Sequence, residues 1–131
     1  MRAILLDTSA FSAHRRGHPE VSAAIAEART VALNTVVLGE LLDGFRRGSR
    51  YERNLADLDA FRSSPRFEML SLGEETAGAY AQILGDLRRA GTPVPTNDIW
   101  IAASALQHGR LLLTLDRHFL HLPLIAVQCF S

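Results

Sequence analysis

Short apolar runs alternate with longer amphipathic stretches along this chain, and the alternation itself predicts the elements. Residues 3–6 (AILL) form a continuous apolar run, the pattern of a strand covered on both faces of a parallel sheet. Residues 10–15 and 19–28 read as helices, with Pro19 suited to a first turn, and 30–33 (TVAL) as a second strand. In 34–48 (NTVVLGELLDGFRRG), Asn34 or Thr35 can cap, Val37, Leu38, Leu41 and Leu42 make a stripe, and Gly48 can end the helix. A helix over 51–64 stops at Pro65, and 67–72 (FEMLSL) alternates as a third strand. The spacing then predicts a helix over 74–91, a rigid TPVP loop over 92–95, a helix over 97–109, and strands over 111–115 and 123–128.

Strands separated by helical stretches of ten or more residues require crossover connections, and hence a mainly parallel sheet with helices on both faces. The expected fold is a three-layer α/β/α sandwich with a central, mainly parallel five-stranded sheet. No repeat or linker divides it, so residues 1–131 are expected to form a single domain. With 47% hydrophobic and 21% charged residues, the composition supports a real core. No apolar run reaches the roughly 18 residues of a membrane span. The first strand starts too early to leave room for a signal peptide, so a cytoplasmic location without membrane contact is expected. Cys129, the only cysteine, has no partner for an internal disulfide.

Charge narrows the chemistry further. The 14 basic residues are all arginine and balance 14 acids, giving formal net charge zero. That neutrality argues against strong unassisted attraction to nucleic acid, unless bound metal ions or local arginine clusters supply the positive field. The absence of lysine weakens receiver-domain and haloacid-dehalogenase readings, which need one beside the phosphorylated aspartate. It also removes a P-loop, and no G-x-G-x-x-G follows the first strand.

Four acids stand out. In open parallel sheets, sites lie at the carboxyl ends of the strands. Asp7 follows the first strand and Asp116 the fourth. Asp98 opens the helix leading into that fourth strand, and Glu40 interrupts an apolar helical stretch (VVLGELL). Each has a structural alternative: Asp7 and Asp116 as caps, Asp98 at a helix dipole, Glu40 facing solvent. Together they would repel, at roughly 4 kcal/mol per pair 4 Å apart in an effective dielectric near 20, so such a cluster must take up protons or bind cations. Oxygen-only donors select hard ions, Mg2+ or Mn2+, and such an ion activates water and neutralises phosphoryl charge.

The motifs LLDTSAF, GELLDG, TNDIWIAASAL and LLTLDRHF, in this order over nearly the whole chain, resemble the PIN-domain family and, more narrowly, VapC-type toxins of bacterial toxin–antitoxin pairs. The resemblance implies a PIN-like fold and a metal-dependent endoribonuclease with Asp7, Glu40, Asp98 and Asp116 as its catalytic, metal-holding acids. It further implies that Thr8, Ser9 and Thr114 support those acids, with Asn97 as another supporting candidate. Hydrolysis would leave a 5′-phosphate and a 3′-hydroxyl, with tRNA and rRNA both open as substrates. A VapB-type antitoxin would block the site, and the chain would form a homodimer. Arg15, Arg16, Arg46, Arg47 and Arg117 lie near the acids in sequence and are candidate phosphate contacts. The competing reading is a non-catalytic PIN-like module that binds RNA or protein. His118 and His121 lack a further nitrogen or sulfur ligand for a zinc site. Trp100 fits core or dimer interface better than base stacking.

Overall fold

Every buried strand here is short, and its neighbours set its length. The computed structural model describes residues 1–131. The five strands are β1 (Ala3–Leu6), β2 (Thr30–Asn34), β3 (Phe67–Leu70), β4 (Leu111–Thr114) and β5 (Val127–Cys129). All pairings are parallel, in the order β3-β2-β1-β4-β5. The six helices are α1 (Thr8–Arg15), α2 (Pro19–Glu27), α3 (Thr35–Arg47), α4 (Tyr51–Arg62), α5 (Glu74–Ala90) and α6 (Thr96–His108).

Ile4, Leu5 and Leu6 of β1 are all buried although successive side chains point to opposite faces, so both faces of the central strand are covered. Right-handed crossovers put α1–α4 on one face and α5–α6 on the other. The three-layer expectation therefore holds, and the sheet is wholly rather than mainly parallel. Thirty buried residues form one hydrophobic cluster. Side chains cap the helices that matter for the cleft: Asp7 accepts from Ala10 N, and Asn34 from Val37 N. Gly91 and Gly109 end α5 and α6 with φ of 67° and 61°, left-handed values that cost glycine little.

Among the boundaries that differ from the sequence expectation, three bear on how the sheet and cleft are built. Helix α1 begins at Thr8, not at residue 10, because the Asp7 cap starts it directly from β1. Strand β3 stops at Leu70, where its partner Asn34 ends β2. The last strand covers 127–129 rather than 123–128, since Pro123 and Leu124 lie in a turn and pairing with β4 starts at the Leu112 N to Ala126 O bond of 3.0 Å. Before it, Arg117–His121 form a 3-10 turn anchored by fully buried Phe119.

Arg110 is the one buried cation, and it stitches three strands. Its guanidinium donates to Ile4 O at 3.1 Å and Thr30 Oγ1 at 3.2 Å, and pairs with Glu68 at 2.9 Å. Replacing Arg110 with Leu deletes all of these contacts and is expected to cost about 2–4 kcal/mol. Urea denaturation of the folded chain checks this; a change below about 0.5 kcal/mol would mean the contacts carry no net stability.

Candidate active site

The sheet has one place where the chain reverses direction across it. From β1 the strands build outward through β2 to β3, then the chain crosses to the other side of β1 and builds β4 and β5. The crevice beyond the carboxyl ends of β1 and β4 is the switch point where open α/β sheets hold ligands. A cleft of about 310 Å³ lies there, lined by Asp7, Thr8, Ser9, Ser12, Glu40, Asp98, Ile101 and Asp116. All four acids singled out in the sequence line this cleft, and each arrives on a different element or junction.

Asp7 is the deepest, only 4% exposed. One carboxylate oxygen accepts from Ala10 N at 2.8 Å and Ser9 Oγ at 2.7 Å, and the other accepts from Thr114 Oγ1. Burial pushes its pKa up, the three donors pull it back, and the charge of Asp116 raises it further. The same hydroxyls tie the two strand ends together. Ser9 Oγ accepts from Leu115 N at 3.0 Å, and Thr114 Oγ1 accepts from Asp116 N at 2.8 Å. Ser9 and Thr114 thus fix the positions of Asp7 and Asp116 relative to one another.

Glu40 is held from both sides, with Thr8 Oγ1 donating to one oxygen at 2.5 Å and Asn97 Nδ2 to the other at 3.2 Å. Those two bonds draw α3 toward the starts of α1 and α6. Asp98 has no such donor among the side chains, and its pKa rises to about 6. Burial is the largest cause, followed by the charges of Asp116, Glu40 and Asp7, with His118 opposing. Asp116 caps the 3-10 turn, accepting from His118 N at 2.9 Å and facing His118 Nδ1 at 3.0 Å.

The arginines divide. Arg15 donates to Asn54 and Asp57 and lies over the Phe45 ring, Arg46 lies over Tyr51, and Arg47 pairs with Asp43. Arg16, at the C-terminal end of α1 away from the cleft, and Arg117, which follows Asp116, are exposed and carry no ion pair. Trp100 stacks on Tyr80 with ring centroids 4.1 Å apart, on the side of α6 that meets α5. The sequence reading missed Ser12 in the cleft, and it weighed His118 beside the cleft only as a zinc ligand with His121. Ser12 sits one turn beyond Thr8 on α1, a spacing that could have revealed it. His118 joins Asp98 and Asp116 in a group whose ligand atoms all lie within 4.8 Å of one another. Its signal was the two-residue step from Asp116 within a turn.

An α/β/α sandwich with acids gathered at the switch point matches a known class. The chain belongs to the PIN-domain family, whose model matches residues 4–124. It is 37% identical over 95 residues to Ribonuclease VapC4 of Mycobacterium tuberculosis, covering 72% of this chain and 73% of that protein. It is 33% identical over 99 residues to the tRNA(fMet)-specific endonuclease VapC of Salmonella typhimurium, covering 75% and 74% respectively. The DNA-bound VapBC structure from Salmonella typhimurium superposes with a TM-score of 0.87 at 29% identity over 100% of both chains. No helix is long and apolar enough to cross a membrane.

The raised carboxyl of Asp98 gives a signed pH dependence. Between its ordinary value of 3.8 and about 6, the folded chain binds more protons than the unfolded one, so stability falls as pH rises through that window. In EDTA, Asp98→Asn should melt roughly 2–5 °C above wild type at neutral pH, with the gap closing on acidification below that window. Thermal melts across pH check this; a gap that widens on acidification would contradict it.

Proposed function

We propose that this chain is a divalent-metal-dependent endoribonuclease, the toxin of a toxin–antitoxin pair, working in the cytoplasm. The observation that carries the reading is the convergence of Asp7, Glu40, Asp98 and Asp116 on one cleft at the switch point. The donor set fits a hard cation. It is built of carboxylate oxygens, and burial together with the neighbouring charges of Asp116, Glu40 and Asp7 raises the Asp98 pKa to about 6. Asp7, Asp98 and Asp116, with Glu40, would hold Mg2+ or Mn2+. When bound, such an ion lowers the pKa of coordinated water and offsets charge on the phosphoryl oxygens.

The chain's own groups orient the reaction. Ser9 and Thr114 hold the Asp7 carboxylate in place, and Thr8 and Asn97 hold Glu40. Fixed positions reduce the reorganisation needed when an RNA phosphodiester enters. Arg117, exposed beside Asp116 and without an ion pair, would meet a flanking phosphate, with Arg16 farther out at the end of α1, which helps a neutral chain engage a polyanion. In-line hydrolysis leaves a 5′-phosphate and a 3′-hydroxyl. The relatives named above support an RNA substrate, for which we take tRNA or rRNA as the class, and VapBC assemblies support a VapB-type antitoxin as the partner. A homodimer of this one nuclease domain, residues 1–131, completes the proposed assembly.

Incubating the purified chain with total cellular RNA in Mg2+, Mn2+ or EDTA tests this directly. Discrete cleavage should require metal and fall by about a thousandfold in Asp7→Asn and Asp98→Asn, with circular dichroism confirming that both fold. Cleavage that survives EDTA and both substitutions would refute the carboxylate mechanism. RNA binding with no cleavage under any condition would mark a non-catalytic binding module instead.

A further inference from the structure

His118 has more at the cleft than its role as a neighbour of Asp116 requires. The Asp116 side chain already accepts from the His118 backbone N at 2.9 Å, which completes the cap of the 3-10 turn. The imidazole is therefore not needed for capping. It nevertheless sits with Nδ1 3.0 Å from the same Asp116 oxygen. Its Nε2 makes no hydrogen bond, and the side chain is 55% exposed. The base beneath it is rigid: Phe119 is fully buried, and Asp116 N is tied to Thr114 Oγ1 at 2.8 Å.

The His118–Asp116 separation is that of neighbouring donors around one small cation. Two neighbouring ligands on an octahedral ion with bonds of about 2.1 Å lie about 3 Å apart, and opposite ligands about 4.2 Å apart. The His118 Nδ1 to Asp116 separation is 3.0 Å, the neighbouring-ligand value, and the ligand atoms of Asp98, Asp116 and His118 fall within 4.8 Å of one another, so a side-chain adjustment of about half an ångström brings the group onto one ion. A neutral imidazole with its proton on Nε2 presents the Nδ1 lone pair toward that space. We propose that His118 supplies a nitrogen donor to the cation held by Asp98 and Asp116, so that this cleft takes Mn2+ in preference to Mg2+. The proposal rests on the acidic metal site described above and deepens it. Mg2+ favours oxygen donors and water, whereas imidazole suits first-row transition ions, so one nitrogen in an oxygen site shifts selectivity toward Mn2+.

The test loads the full chain with Mn2+ alone and records pulsed EPR, which detects nitrogen-14 bonded to the ion. Wild type should show coupling to one imidazole nitrogen, and His118→Gln and His118→Phe should lose it while remaining folded. Titration of each protein with Mn2+ and with Mg2+ gives the second readout. Both substitutions should weaken Mn2+ binding by about tenfold or more and change Mg2+ binding by less than about twofold. Mn2+ bound without nitrogen coupling, at unchanged affinity in both variants, would overturn the His118 assignment while leaving the acidic site intact. Equal weakening for both metals would overturn the selectivity. No Mn2+ binding to wild type would overturn the acidic metal site as well.

Discussion

Negative charge crowded onto one edge of the sheet is the constraint that organises this molecule. At an effective dielectric near 20, each close pair of carboxylates costs roughly 4 kcal/mol at 4 Å. The fold accepts that cost by surrounding the acids with donors rather than by separating them. Asp7, buried to 4% exposure, receives three hydrogen bonds, and Glu40 receives one on each oxygen. Asp98 receives no side-chain donor, and burial with three neighbouring acids lifts its pKa to about 6. The charge left unbalanced at Asp98 and Asp116 faces the open cleft, where a cation can neutralise it.

The topology determines which acids meet. Parallel strands send their carboxyl ends to one edge, and the reversal between β1 and β4 opens a crevice there. Asp7 and Asp116 extend from the two strands flanking that crevice, while α3 and α6 bring Glu40 and Asp98 over it. Thr114 and Ser9 cross-link the two strand ends, so the core that buries Leu5, Leu112 and Leu113 also sets the spacing of the acids. Packing and site geometry are therefore one problem: loosening β1 against β4 would move Asp7 relative to Asp116.

Much of this was legible in the residues. Continuous apolar runs at 3–6 and 111–115 signalled strands buried on both faces, and the acids after them pointed to the same edge. Periodicity could not reveal where pairing stops. Residues 123–126 are apolar enough for a strand, but Pro123 and Leu124 lie in a turn and Ala126 only accepts from Leu112 N at 3.0 Å, so β5 forms only over 127–129. His118 was read only beside His121, because its approach to Asp116 depends on a 3-10 turn, which leaves no hydrophobic period to read. Proximity in sequence also overstated the arginines. Arg15, Arg46 and Arg47 follow the acids closely along the chain, yet their guanidinium groups lie against Asp57, Tyr51 and Asp43.

The most direct measurement of the central claim is anomalous X-ray diffraction from crystals of the full chain soaked in Mn2+, which locates the ion without reference to activity. The expected result is a strong anomalous peak in the cleft, within bonding distance of the carboxylates of Asp98 and Asp116 and beside Asp7. A fully occupied crystal with its Mn2+ elsewhere on the surface, and none between these acids, would contradict the claim that their crowding exists to hold a cation.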